Sequence, residues 1–393
     1  MSWETVTLGD IAITIQTGPF GSQLHQSDYS EAGIPVVMPK DLLDGKIIEN
    51  SIARVEEIHV ERLSRYKIKK GDIIYSRRGD VGRCAFAGEK EAGWLCGTGC
   101  LCVTIDVNKA NAKFVFYQLQ LAEIIGWVKN HAVGSTMLNL NTNILENIPV
   151  NIPDLCIQNR IVDILSAYDD LIENNKKQIK LLEEMAQRLY KEWFVDLHFP
   201  GYENVKIVDG VPEEWRKEKL INLCDVQYGY AFDGSLFNDK SEGTPIIRIR
   251  DIPVGYSTDY TTEQADERYV VENGEIVVGM DGEFHINSWS GEDSYLVQRV
   301  CCFRPHDEII KGWLLWALYE PIKYFEKTVV GATVSHLGKK HIDTIELLKA
   351  PIKLYVPFNI FFEKRQLLLN QNQKLFEARD RLLPKFMNGE IEV

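Results

Sequence analysis

Two segments near the start of the chain combine hydrogen-bonding side chains with a glycine-rich backbone. Residues 18–25 read Gly-Pro-Phe-Gly-Ser-Gln-Leu-His, a turn-rich string with several polar tips. Residues 75–83 leave a strand-like run and place Arg77, Arg78 and Arg83 among glycines. A guanidinium group suits bidentate contact with a phosphate or with the N7 and O6 atoms of guanine. The pattern permits binding of a polyanion, although a loop exposed only to solvent would have the same composition.

A third kind of segment occurs twice, each time before a helical pattern. Residues 134–136 read Gly-Ser-Thr, and residues 331–336 read Gly-Ala-Thr-Val-Ser-His. The first N–H groups of a helix lack partners within the helix, so such a position can hold a phosphate. An ordinary helix cap explains each segment equally well, and the repetition adds modest support for a binding role.

No string in the sequence matches a catalytic or cofactor motif. A methyltransferase acting on amino groups would need an Asn/Asp-Pro-Pro-aromatic turn, and residues 147–154 lack the paired prolines and the aromatic residue. Residues 331–340 have the wrong spacing for a phosphate-binding loop. The cysteines between residues 84 and 102 form no Cys-x-x-Cys pair, which favours buried reduced thiols over zinc. We therefore expect no catalytic residue, metal or cofactor.

Composition limits the class of protein without deciding its partner. The 393 residues carry a formal net charge of −13, which taken alone disfavours a polyanion partner. The charge is uneven, because residues 199–350 alone carry −10. The 8 cysteines are too few for a disulfide scaffold, and there is neither a signal sequence nor a long apolar stretch. These features predict a soluble, cytoplasmic protein of two or three domains.

The chain repeats itself with a period near 200 residues. Four pairs of matching strings occur in the same order, at shifts of 212, 210, 203 and 197 residues. They pair residues 3–11 with 215–223, 33–42 with 243–252, 66–74 with 269–277, and 133–140 with 330–337. Within each copy, short β-type runs and a few helices lead into a long segment of helical periodicity. A repeat of this length predicts two domain-sized copies rather than a solenoid.

The long helical segments show the alternating steps of four and three that are typical of a coiled coil. The apolar positions run from 161 to 193, and the same frame shifted by 197 covers 358 to 386 with two Arg in the seam. Asn175 and Asn372 occupy the same seam position, where we expect them to meet in an antiparallel pair and to penalise wrong registers. Two solvent-facing Asn are the alternative, as are two helices buried in separate domains.

A set of short strings occurs in a fixed order along the chain. They are Gly18-Pro-Phe-Gly-Ser22 with Gly33-Ile-Pro35, Gly71-Asp-Ile-Ile74, Gly134-Ser-Thr136, Gln158-(x2)-Ile161, Leu189-Tyr-Lys-Glu-Trp-Phe194, Phe199-Pro-Gly201, Gly210-(x)-Pro212-(x2)-Trp215 and Leu383-Pro-Lys-Phe-Met-Asn-Gly-Glu-Ile391. No single string is diagnostic, but their order, the duplication and the two helices together are specific. Through them the sequence resembles, over essentially its whole length, the specificity subunits of type I restriction–modification systems.

The resemblance implies an α/β (α+β) fold in which two duplicated target-recognition domains are joined by two long antiparallel coiled-coil helices with pseudo-two-fold symmetry. The expected recognition domains are residues 1–154 and 199–351, and the expected spacer helices are residues 155–198 and 352–393. Each domain would read half of a bipartite double-stranded DNA target. The helices would dock two modification (methyltransferase) subunits and, through the complex, restriction (nuclease/translocase) subunits. The chain itself would be non-catalytic.

Candidate contact residues follow from the loop segments and the resemblance. The position aligned with Arg77-Arg78 holds Met280-Asp281, which predicts a different half-site or weaker phosphate contacts in the second domain. The first-domain candidates for DNA binding are Ser22, Gln23, His25, Lys40, Arg77, Arg78, Arg83, Ser135, Thr136 and Asn139. The second-domain candidates are Tyr230, Arg248, Arg250, Ser335, His336, Lys339 and Lys340. We expect the extra apolar helix residues Tyr190, Phe194 and Phe361 to bind the modification subunits.

Two other functions remain open at this point. A duplicated protein-binding scaffold that never contacts DNA would fit the acidic charge. A stand-alone nuclease or methyltransferase would need a divergent motif, and the missing cofactor loops disfavour it.

Overall fold

The computed structural model describes residues 3–134, 138–329 and 335–393, which divide into two compact units. The first unit comprises Met1–Asp169 with Ala378–Val393, and the second comprises Asp170–Glu377. The division crosses both long helices, so each unit contains a body of sheets and short helices together with part of each long helix. The sequence-based boundaries instead give each long helix a segment of its own.

The first unit is built on a four-stranded antiparallel sheet. The strand Cys100–Ile105 lies at its centre and is buried along almost its whole length, which explains its continuous apolar sequence. The strand order is Ala12–Thr17, Cys100–Ile105, Ile73–Ser76, Cys84–Phe86. A second, mixed sheet has the order Leu95–Cys96, Ile34–Val37, Ala53–Val55, Tyr29–Ser30, with a parallel pairing between its first two strands.

Two short strand pairs and five helices complete the body of the first unit. Four of the helices pack on the central sheet, as Phe114 and Leu145 show by sharing its buried cluster, whereas Val60 of Glu57–Arg62 packs on the second sheet. The pairs are Glu4–Thr7 with Pro149–Ile152, and Leu42–Leu43 with Lys46–Ile47. The helices are Leu8–Ile11, Glu57–Arg62, Ala112–Leu119, Ala122–His131 and Thr142–Glu146.

The second unit repeats this plan with its own residues. Its central antiparallel sheet has the order Cys224–Tyr228, Val300–Pro305, Ile276–Gly279, Ile286–Ser288. A five-stranded sheet follows the order Phe237–Asn238, Tyr260–Thr261, Thr244–Ile247, Ser294–Leu296, Val270–Val271. Further elements of this unit include the pairs Ile207–Val208 with Val211–Pro212 and Arg216–Lys219 with Glu346–Lys349, and the α-helices Lys311–Thr328 and Lys339–Ile342.

The long helices span Leu155–Tyr190 and Val356–Met387. The first continues as one π-helical turn, Lys191–Val195, and stops short of residue 198 because Leu197 adopts a left-handed conformation with φ of 60°. The second helix ends at Met387, before residue 393. Gly389, two residues further on, has φ of 70°. Both helices therefore end in residues that leave the right-handed path, as helix C-termini commonly do.

Most predicted seam positions of the first helix are buried, whereas several in the second, such as Leu369 and Phe376, are only half-buried. On the first helix Ile161, Leu165, Ile172, Ile179 and Ala186 are all buried. In the second unit the two helices run antiparallel, because Ile179 and Leu182 pack with Leu368 in one cluster while Asn175 contacts Asn372.

Candidate nucleic-acid interface

Three loops of the first unit meet where the central sheet ends. Beyond the strand Ile73–Ser76, the Arg77 amide donates to the Gly99 carbonyl at 2.8 Å. The Gly18 amide donates to the Cys100 carbonyl at 2.9 Å. A side chain at Gly18 would place its Cβ only 1.9 Å from the Gly97 carbonyl oxygen, so this close approach requires glycine. Backbone hydrogen bonds thus hold the 18–25 loop beside the 77–83 turn.

The segment that follows residue 133 closes onto the same place. The Leu140 amide donates to the Arg77 carbonyl at 2.8 Å, and the Gly79 amide donates to the Leu138 carbonyl at 3.1 Å. Arg78 and Asn139 form an antiparallel bridge between the two segments. The structure therefore brings together Arg77, Arg78 and Asn139, which we call the first sheet-end cluster. Ser135 and Thr136 lie outside the described residues.

Two polar atoms of the first sheet-end cluster are buried without a hydrogen-bond partner among the described residues: Arg77 Nε and Asn139 Oδ1. The Arg77 guanidinium carbon lies 5.8 Å from the centroid of the exposed Phe20 ring, which links the 18–25 loop to the cluster. Buried polar atoms are nearly always paired in folded proteins. The arrangement therefore presents unused hydrogen-bonding capacity beside an exposed aromatic ring.

The other first-unit candidates fall into two groups. Gln23 shapes its loop, since its amide oxygen accepts from the Tyr66 hydroxyl at 2.8 Å and its carbonyl accepts from Arg62 at 2.8 Å. The remaining four are exposed side chains, of which Lys40 donates to the Ser51 carbonyl at 2.8 Å and Arg83 donates to Asp80 at 2.8 Å. These four are Ser22, His25, Lys40 and Arg83.

The second unit reproduces the same backbone hydrogen bonds at its own sheet end. The Met280 amide donates to the Arg299 carbonyl at 2.8 Å, and the Leu337 amide donates to the Met280 carbonyl at 2.7 Å. The Gly282 amide donates to the Ser335 carbonyl at 3.1 Å. The bridge that matches Arg78–Asn139 is formed here by Asp281 and His336.

The side chains at this second position differ from those of the first unit. A contact of 2.6 Å joins His336 Nδ1 to Asp281 Oδ1, and Arg299 Nε lies 3.4 Å from Asp281 Oδ2. We call Asp281, Arg299 and His336 the second sheet-end cluster. The sequence reasoning missed Arg299, which falls in the turn 297–299 that matches 97–99. The sequence feature that could have revealed it is the basic residue Arg299 at the position that matches Gly99. The sequence analysis assigned no role to that position.

The other second-unit candidates are mostly engaged elsewhere. Arg248 and Arg250 both pair with Asp259, so one carboxylate compensates two guanidinium groups. Lys339 pairs with Asp343 at 2.9 Å, whereas Lys340 is exposed. Tyr230 packs against Phe232 and Tyr269, with ring centroids 4.8 and 5.2 Å away. Of the predicted residues, the structure places Tyr230, Ser335 and His336 at the sheet end of this unit, Tyr230 through a bridge to Val297.

The helix residues contain the predicted Asn contact. The Asn175 amide donates to Asn372 Oδ1 at 3.0 Å and to Gln371 Oε1 at 3.1 Å. Asn175 and Asn372 are both buried. The amides thus meet as expected, whereas their role in fixing the register stays a prediction.

The apolar residues expected to face a partner do not all do so. The prediction for Phe194 is wrong, because this ring is buried against Trp215, Trp313 and Phe358 in the core of the second unit. Tyr190 stacks on Phe194 and Phe361 packs against the same core, so both are covered in part. The long helices of this unit instead expose Leu181, Met185, Ile360 and Leu367.

The four cysteines between residues 84 and 102 are buried free thiols, whereas Cys156 is exposed. Burial raises the pKa of Cys84 to about 12 and that of Cys96 well above its usual range, so both stay protonated near neutral pH. Among residues 3–134, 138–329 and 335–393, no three His, Cys, Asp or Glu side chains are grouped so as to hold a metal ion. No helix in the described part of the chain is long and apolar enough to cross a membrane.

Comparison with known proteins relates this chain to a known family. The model of the type I restriction modification DNA specificity domain matches residues 1–184 and 212–351. The type I restriction enzyme MjaIX specificity subunit of Methanocaldococcus jannaschii is 24% identical over 388 residues, covering 93% of this chain and 88% of that protein. The HindI specificity subunit of Haemophilus influenzae is 24% identical over 467 residues, covering 99% of both.

A solved structure agrees with the fold. The crystal structure of a type I restriction–modification system S subunit from M. genitalium superposes with a TM-score of 0.60 at 15% sequence identity. The superposition covers 98% of this chain and 96% of that one.

Proposed function

The chain belongs to the type I restriction–modification DNA specificity family and is a specificity subunit of such a system, and from this premise we propose that each of its units reads one half of a bipartite double-stranded DNA target through its sheet-end cluster. We assign the recognition domains to residues 1–154 and 199–351, and the spacer to the helices Leu155–Tyr190 and Val356–Met387. Modification subunits carry out methyl transfer and restriction subunits join through the complex, while this chain supplies no catalytic group.

One observation carries the proposal: the two units share the backbone of the sheet end and differ in its side chains. The bridge position holds Arg78 with Asn139 in one unit and Asp281 with His336 in the other. Two domains that recognise different half-sites can share one backbone geometry but need different contacting side chains, because base edges differ in their donor and acceptor pattern. A scaffold that binds one protein twice would instead favour the same side chains in both units.

The test of DNA reading uses the chain assembled with its modification subunits. Arg77→Ala with Arg78→Ala should weaken DNA binding and reduce the slope of log K against log salt by about one to two, since each lost phosphate contact contributes roughly 0.9. Single-molecule methylome sequencing should show that base preference is lost at positions in one half of the methylated motif and kept in the other half.

A matched control removes two positive charges elsewhere. Arg216→Ala with Lys217→Ala alters exposed residues on the strand that pairs with Glu346–Lys349. This variant should keep the motif and most of the affinity. If the Arg77 and Arg78 variant retained the affinity, salt slope and motif of the parent chain, the sheet end would not be a DNA-reading surface.

The exposed apolar residues of the long helices suit the modification subunits. Leu181 and Met185 project from the first helix, and Ile360 and Leu367 from the second. Several exposed apolar side chains on one helical pair are typical of a protein interface. Leu181→Lys with Met185→Lys should therefore prevent copurification with a modification subunit. Gln187→Lys, at an exposed polar position of the same helix, should leave assembly intact.

A further inference from the structure

The second sheet-end cluster has a guanidinium group that comes from the turn 297–299, which the sequence analysis did not single out. At the position that matches Arg78 the second unit has Asp281, so the strand end itself contributes a negative charge. Arg299 enters from the facing turn and places its guanidinium against this carboxylate, with Nε 3.4 Å from Asp281 Oδ2. A guanidinium thus lies at the sheet end of both units, although it comes from different places in the two sequences.

Contacts on two sides hold the Arg299 guanidinium. Besides Asp281, the ring nitrogens of His336 lie 3.3 and 3.4 Å from Arg299 Nη1. The side chain is still 49% exposed, so the group is oriented without being buried. An Arg that is held by fixed neighbours and remains open to solvent is prepared for directional hydrogen bonding, because less freedom is lost when a ligand binds.

The backbone at Arg299 is strained, which is unusual for a residue with a long side chain. Its φ is 75°, in the left-handed region that favours glycine. The conformation is fixed by hydrogen bonds from Gln298 N to the Tyr230 carbonyl at 2.7 Å and from Met280 N to the Arg299 carbonyl at 2.8 Å. A glycine would adopt this conformation at a lower conformational free energy. The arginine side chain therefore stands at a position where the backbone conformation disfavours it. Strain of this kind is concentrated at functional sites.

We infer that Arg299 is a specificity-determining residue, which recognises a guanine in the half-site read by the second unit. This inference rests on the proposed function of the sheet-end clusters. Guanine offers the N7 and O6 acceptors that a guanidinium contacts in bidentate fashion in the major groove. A backbone phosphate is the poorer ligand, because the Asp281 carboxylate beside the guanidinium cancels its charge and would repel an anion. Asp281 is a positioning residue for Arg299.

The variant Arg299→Gly tests the inference with little risk to the fold, because glycine suits the left-handed backbone. In the assembled complex, methylome sequencing should show that one G·C position in a single half-site becomes degenerate, with about 5- to 150-fold loss of discrimination. The thermal melting temperature should stay unchanged or rise. Ser241→Gly, at another left-handed position with φ of 59°, controls for the backbone change, and Arg216→Ala controls for the lost charge.

Several results would overturn the inference. An unchanged motif would remove Arg299 from base reading, and uniform weakening on all sequences with a shallower salt slope would make it a phosphate contact. If Arg299→Gly did not assemble, Arg299→Lys would replace it. The lysine variant keeps the charge but loses the bidentate geometry, so the same G·C position should relax, and an unchanged motif would again refute the inference.

The inference and the proposed function can fail separately. A changed first half-site in the Arg77 and Arg78 variant, together with no effect of Arg299→Gly, would refute the role of Arg299 alone. If neither variant affected either half-site, the proposed role of the sheet-end clusters would fail as well.

Discussion

Arg365 carries a guanidinium group into an almost fully buried position on the second long helix. Its Nε donates to Glu183 at 2.7 Å, Nη1 to the Ser288 hydroxyl at 2.7 Å, and Nη2 to Asn287 Oδ1 at 2.6 Å. The group therefore joins the first helix to the strand Ile286–Ser288 within the second unit. A buried charge is tolerable here because each of the three nitrogens of its guanidinium makes a hydrogen bond.

Replacing this arginine should cost the second unit much of its stability. Arg365→Met removes three charge-assisted or polar contacts and leaves Asn287 and Ser288 with fewer partners. We expect a loss of about 2–3 kcal/mol, reduced from the value for a fully buried pair because Glu183 is partly exposed and can hydrate. Calorimetry should show a drop of roughly 5–10 °C in melting temperature. Arg188→Met, at an exposed position of the first helix, should change it little, and an equal drop there would contradict the argument.

Single residues could be predicted from the sequence where their loops combine glycine with hydrogen-bonding side chains. Arg77, Arg78 and Asn139 were singled out from loop composition, and the backbone brings them together. Arg299 could not be found in this way, because its importance depends on a left-handed φ and on a contact across the sheet end. Arg248 was a reasonable candidate by charge alone, but Asp259 pairs with it, and spacing in the sequence does not reveal such a pair.

At the scale of elements, helical periodicity predicted the long helices and their buried seam. The steps of four and three follow from 3.5 residues per turn, so this prediction needs no tertiary information. The periodicity showed two Arg in the second seam but not their partners: Arg365 pairs with Glu183, and Arg379 pairs with Asp169. The end of the first helix after its π-helical turn at Val195 was missed, since it depends on the left-handed Leu197.

The Asn175 and Asn372 contact gives a prediction about register. Asn175→Leu alone leaves the buried Asn372 amide with fewer partners and should cost about 1–3 kcal/mol, whereas Asn175→Leu with Asn372→Leu should recover that loss. The double variant should also methylate targets whose half-sites are one base pair closer or further apart, because no polar pair then penalises a shifted register. Melting curves and methylome sequencing measure the two effects.

A neighbouring residue supplies the control for the register prediction. Asn174→Leu changes an exposed amide in the same helical turn and should leave both stability and spacing near those of the parent chain. Unchanged spacing specificity in the double variant would show that packing elsewhere on the helices sets the register.

At the scale of the whole molecule, the internal repeat was the most informative feature of the sequence. It predicted two domain-sized copies, and both units have a central antiparallel sheet with the same strand order. The mixed second sheet of each unit was not predictable, because its parallel pairing joins strands distant in sequence, such as Ile34–Val37 with Leu95–Cys96. The net charge of −13 was a poor guide, since contact with DNA depends on local side chains rather than on the sum.

Two units with separate sheet-end clusters should contribute independently to recognition. Arg77 and Arg78 belong to one unit and Arg299 to the other, and changes at independent sites usually add in free energy to within about 0.5 kcal/mol. The variant that combines Arg77→Ala, Arg78→Ala and Arg299→Gly should therefore lose binding free energy equal to the sum of the separate losses. Titration of the bipartite target with the assembled complex, at one fixed salt concentration, measures the binding free energy of the parent chain and of each variant. A combined loss that differs from this sum by more than about 1 kcal/mol would show that the half-sites are read cooperatively rather than by independent modules.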